Sequence, residues 1–225
     1  MKLQGFVFGI RVNKSFYLED KSGAIVDELL YNKNSEFGPS LFPTVQENNG
    51  IKRLYNETTG DKFVITHSDF IFEYTVRHDF DKEFQKYLES YRNLILKQIF
   101  KKFDVHFIAR FGFIIKAELS QNDTITNSVQ DIIREHHGNY KPDSYSLRYN
   151  VKEKKPIKIK DITTEDFDNI IVTYDKANED SSLIFSVDYQ RYFKPELDKI
   201  DDSQVSYDKF CKKAYEQYKN VYYEK

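Results

Sequence analysis

Five histidines, one cysteine and a scatter of acidic pairs are the groups in this 225-residue chain whose types suit catalysis or metal binding. His136 and His137 stand side by side in "REHHG", and adjacent residues point apart on a strand or a helix, so they make no ligand pair. There is no HExxH and no Cys/His cluster at zinc spacing. Cys211 is alone, which excludes a disulfide within the chain and a cysteine-based zinc site. His67 and Asp69 in "THSDF" have the types of a base and its orienter, yet Ser and Asp there are what a turn needs for its own backbone. Glu165-Asp166 and Asp201-Asp202 fall in polar connections, and GxGxxG, GxxxxGK[ST] and GxSxG are all absent. The expectation leans away from an enzyme: no catalytic residue, no metal and no cofactor.

Binding chemistry is better represented. "VKEKKPIKIK" carries Lys154, Lys155 and Lys158, with Arg148 and Tyr149 just before it. Lysines beside exposed aromatics suit a phosphate backbone and its bases. The following "DITTEDFD" is acidic and cancels part of that field within a Debye length. "YEQYKNVYYE" places tyrosines around a terminal helix, more than one stripe can bury, so Tyr215 and Tyr223 are candidates for a protein interface. Arg110 is the remaining candidate, a cation in the middle of an apolar strand. Its expected partner is Glu73 of the preceding strand, on an open sheet face.

The elements that hold these residues follow from periodicity. Residues 79–103 repeat apolar side chains at three- and four-residue steps without Gly or Pro, which predicts one long helix. From Val105 to Leu119 alternate residues are apolar, which predicts a strand with Phe107, Phe111 and Phe113 on its core face and Arg110 opposite. Strands are also expected near residues 5–18, 51, 63, 145, 170 and 183. Short helices are expected at 24–31 and 128–135, and a second long one from Tyr207, capped by Ser206. Residues 32–50 read as a loop pinned by Phe37, Leu41 and Phe42. Runs of strands with segregated helices predict an α+β fold, antiparallel sheet packed against two long helices, in a single domain over 1–225. The order also fits two pseudo-repeated βββα halves, with a boundary near 120–143.

"ARFGFII" after the long helix resembles the strand of a sporadically distributed bacterial family, which reads roughly Arg-x-Gly-Leu-Arg-Tyr-x-Asn. Arg110 and Gly112 match it, while Ile114 and Ile115 stand where that family has Arg and Tyr. The resemblance implies a cytosolic bacterial protein of a defence or mobile-element locus, with no assigned chemistry.

Composition sets the remaining bounds. The 17 Tyr and 19 Phe are far more aromatic residues than a disordered chain carries, so the chain should fold. A net charge of −2 gives no global pull toward nucleic acid or membrane. No apolar window is long enough to span a bilayer and the first residues lack a signal-peptide pattern, so a cytoplasmic location is expected. The function predicted is a non-enzymatic interaction subunit or sensor with a protein partner, nucleic-acid binding through the Lys-rich hairpin being the alternative.

Overall fold

The chain opens with β1 (Lys2–Val12), whose Phe6, Phe8, Ile10 and Val12 are buried while Gly9 and Arg11 face the other way. This computed structural model describes residues 1–13, 15–33, 35–120, 123–138, 142–156, 158–159, 162–178, 181–198 and 206–223. Helix α1 (Phe16–Tyr31) follows, with the Ser15 hydroxyl accepting from the Leu18 N–H as its cap. It starts eight residues earlier than periodicity suggested. Gly23 lies on its exposed side, and Leu18, Ser22, Ile25, Val26 and Leu29 form one buried stripe, so packing outweighs the local turn signal.

Four short strands come next: β2 (Thr44–Asn48), β3 (Ile51–Tyr55), β4 (Lys62–Ile65) and β5 (Asp69–Thr75). The loop before them is pinned by Phe37 and Phe42, both buried. The stretch expected as one long helix is divided into three helical segments. α2 (Phe80–Tyr91), capped by Asp79, continues through π-helical Arg92–Ile99 into α3 (Phe100–Lys102). Strand β6 (Ile108–Leu119) is then followed by α4 (Thr124–His137), β7 (Tyr145–Lys154) and the small β8 (Lys158–Ile159) and β9 (Ile162–Thr163) pair. The hairpin of β10 (Phe167–Lys176) and β11 (Leu183–Leu197) leads to α5 (Tyr207–Tyr218), which extends as a π-helical segment Lys219–Tyr223. α4 is longer at both ends than the expected 128–135, because Asp123 caps it and Gly138 closes it.

Nine strands form one antiparallel sheet in the order β2-β3-β4-β5-β1-β6-β11-β10-β7. Among the described residues four helical bodies contribute to a single hydrophobic cluster on one face of that sheet, in place of the two long helices and two short ones expected. Its centre is aromatic: Phe8 stacks on Phe113 at 5.6 Å, and Phe84 packs on Phe113 at 5.4 Å. Two tyrosine hydroxyls reach from this layer into the sheet's own ladder. Tyr207 accepts from the Gly9 N–H at 3.0 Å and donates to the Gly112 carbonyl at 2.9 Å, bridging the two central strands. Tyr91 donates to the Phe70 carbonyl at 2.7 Å.

β6 sorts its side chains as the alternation predicts from Phe111 onward, but not before. A register shift at Arg11/Val12 turns Ile108 into the core and leaves Phe107 outside at positive φ and half exposed. The expected place of Phe107 on the apolar face is therefore corrected.

Candidate binding surface on the open sheet face

Among the described residues no helix belongs to the second face of the sheet; its side chains lie outside the hydrophobic cluster. Strand register fixes who stands there. Arg110 is flanked by Arg11 on β1 and Tyr192 on β11, and Phe167 on β10 faces Tyr192 from the far side. Lys154 lies beyond Phe167 on β7, and Lys152 and Arg148 alternate along that strand on the same face.

Aromatic and cationic groups interleave here. The Tyr192 and Phe167 rings stack at 4.6 Å with an interplanar angle of 9°. The Arg110 guanidinium sits 5.6 Å from the Tyr192 ring, and Lys152 and Lys194 each lie 5.8 Å from that of Phe167. Each such contact stabilises by about 0.5–1 kcal/mol at an exposed site, enough to order the side chains without locking them. Arg110 also donates to the Tyr192 hydroxyl at 3.3 Å.

An amide row runs beside the stack. Asn150 donates to Asn169 at 3.0 Å, Asn169 donates to Gln190 at 3.0 Å, and Gln190 donates to the Asp188 carboxylate at 2.6 Å. Burial pushes the Asp188 carboxyl above its ordinary range, opposed by the Gln190 amide and the charges of Arg110 and Arg148. A central glycine pair, Gly9 opposite Gly112, puts backbone at the surface in the middle of the face. A Cβ on either would meet only the other's carbonyl at 3.7–4.0 Å, so neither glycine is demanded by crowding on this side.

Charge is not shared evenly between the two faces. Lys2, Arg11, Arg53, Lys62, Arg110, Lys116, Arg148, Lys152 and Lys154 face Asp69, Glu73, Glu118, Asp175 and Asp188 across this surface. The face is thus positive while the chain is −2 overall. Some of its cations are satisfied internally. Arg11 holds Asp69 through two hydrogen bonds of 2.7 and 3.2 Å, and Lys62 and Lys116 both pair with Glu73. Burial raises the Glu73 carboxyl, but the hydrogen bonds from Lys116 and Lys62 outweigh it and hold the group below its ordinary value. Among the described residues, Arg53, Arg110, Arg148, Lys152 and Lys154 form no ion pair, which leaves them available to an anionic ligand.

The sequence candidates divide accordingly. Arg110 is on the open face as expected, but its partner is Tyr192 and not Glu73. Glu73 stands level with Val7 and Ile114, four residues along β6 from Arg110, so it reaches Lys116 across β1 instead. Arg148 and Lys154 join the same face, whereas Tyr149 projects to the opposite side and Lys155 pairs with Glu153. The side chain of Lys158 lies outside the described residues, as do that of Tyr223, the side chain of His137 and both residues of Asp201-Asp202. Tyr215 is corrected outright: it is 5% exposed, packs on Phe84 at 4.9 Å and Phe80 at 5.2 Å, and donates to Asp81 at 2.6 Å. Asp69 of the His67/Asp69 pair is spent on Arg11, Thr66 and Ser68, so it orients no base. Tyr192, Phe167 and the amide row were missed. For Tyr192, Gln190 and Asp188 the signal was present in "SVDYQRY", once that stretch is placed on a sheet with one uncovered face.

Among the described residues no group of three or more His, Cys, Asp or Glu side chains is placed to hold a metal ion, and no helix is long and apolar enough to cross a membrane. No family model and no curated protein matches the chain.

Proposed function

We propose that this protein is a non-enzymatic nucleic-acid-binding protein that takes a single strand across the β6–β11–β10–β7 part of its open sheet face. The observation that carries the proposal is the Arg110–Tyr192–Phe167 stack with Lys152 and Lys194 beside it. Ring surface accepts any base by stacking, and cations accept phosphates. This replaces the Lys-rich hairpin by a sheet face that shares Arg148 and Lys154 with it. The same reading takes the sheet as two pseudo-repeated halves meeting at β1 and β6. Support comes from the order β5-β4-β3-β2 on one side and β11-β10-β7 on the other, with a helix following β5 and another following β11 in the chain. A cytoplasmic setting in a bacterial defence or mobile-element system is proposed from the resemblance alone.

Fluorescence anisotropy with a labelled single-stranded oligonucleotide at low salt tests the proposal. Binding is expected, and Phe167→Leu with Tyr192→Leu should weaken it at least tenfold, since stacking contributes about 1–3 kcal/mol per base. Equal affinity for the double variant and the parent would refute the placement.

A further inference from the structure

We propose that β7 is a self-association edge, through which two copies of this chain join their sheets in antiparallel register about Tyr149. The inference does not depend on nucleic-acid binding. β7 is ten residues long and ends the sheet: β10 pairs with one side of it, and among the described residues no strand pairs with the other. A free edge of that length is a template for another strand. Its helix-side residues add a second observation. Tyr149 and Val151, which alternation turns toward the hydrophobic layer, remain 49% and 54% exposed, with Leu147 half-buried next to them.

Charge decides both the occupant and the register. Opposed residues of an antiparallel pair share a face, so a symmetric pairing sets residues of equal parity opposite one another. Centred on Asn150, Arg148 meets the partner copy's Lys152; centred on Val151, it meets Lys154; centred on Arg148, it meets itself. Like charges directly opposite are destabilising. Centred on Tyr149, Arg148 meets Asn150, Lys152 meets Ser146, and Leu147 meets Val151 around a central tyrosine pair. Among the registers that pair most of the strand, this one alone avoids an opposed like charge and closes the apolar row on itself. β7 is therefore complementary to a second β7.

A cross-linking test reads the register directly. Tyr149→Cys puts two thiols on opposed residues, with Cα atoms about 4.5–5.5 Å apart, within the span of a disulfide. Val151→Cys puts them about four residues apart along the strands, roughly 13 Å, beyond reach. The native Cys211 is buried and does not compete. The expected result is a mass that rises toward a dimer with concentration in sedimentation equilibrium, and covalent dimer from Tyr149→Cys but not from Val151→Cys. Tyr149→Lys with Val151→Lys should stay monomeric at all concentrations while still melting cooperatively. A monomer at all concentrations, or faster cross-linking at 151 than at 149, overturns the proposal. Should the lysine variant not fold, the two cysteine variants still decide.

Discussion

Tyr207→Phe removes one oxygen atom and isolates what the inserted hydroxyl does. The ring is fully buried among Phe8, Tyr91 and Phe111, and phenylalanine keeps that packing. What goes is the bridge between the Gly9 N–H and the Gly112 carbonyl. Burial keeps this phenol far above its ordinary pKa, so it is a neutral donor and acceptor throughout the accessible pH range. Both backbone groups are part-buried and lose their hydroxyl partner, so a loss of about 1–3 kcal/mol is expected. Urea titration measures it as a fall in midpoint at constant slope. Tyr91→Phe removes the donor to the Phe70 carbonyl and should destabilise in the same way. A loss below about 0.5 kcal/mol for Tyr207→Phe would mean that β1 and β6 close their own ladder, and that the hydroxyl does not bridge them.

Tyr215→Ser should destabilise by about 3 kcal/mol or more, the usual cost of emptying a buried aromatic site, seen as a lower melting temperature. An unchanged melt would return Tyr215 to the surface. Arg110→Met should change stability by under about 1 kcal/mol, since one exposed cation–π contact is lost, yet weaken oligonucleotide binding in anisotropy. Asp188→Asn addresses a carboxyl whose folded pKa is raised by burial. The stability associated with its protonated form is present below the unfolded value and is lost as pH rises through the folded one. The variant should therefore melt higher than the parent at neutral pH, with the difference disappearing in acid. Its persistence in acid would assign the effect to something other than ionisation.

The sequence made the long helix and the alternation of β6 legible because both are local: a stripe every three to four residues, and a face every two. Capping residues at Asp79 and Ser206 were readable for the same reason. Pairing across the sheet was not. That β1 separates β5 from β6 is a non-local choice, and together with the register it decides that Glu73 meets Lys116 and leaves Arg110 to Tyr192. Tyr215 was lost through the width of a stripe. α5 packs against both the sheet and α2, so its buried face is broader than one row and takes in Cys211, Ala214, Tyr215 and Tyr218 together. Arg148 and Lys154 were found by charge, yet their face became known only when Lys152 and Phe167 fell beside them in the register.

The salt dependence of single-strand binding tests the central claim most directly. Each phosphate neutralised by a cation contributes about −0.7 to the slope of log affinity against log salt for a single strand. Replacing Arg148, Lys152 and Lys154 together by Gln should leave folding intact, because all three are exposed on an edge strand. The slope should then become shallower by roughly 2, with weaker binding at low salt. An unchanged slope and affinity, or no binding by the parent protein at low salt, would contradict the assignment of this face to nucleic acid.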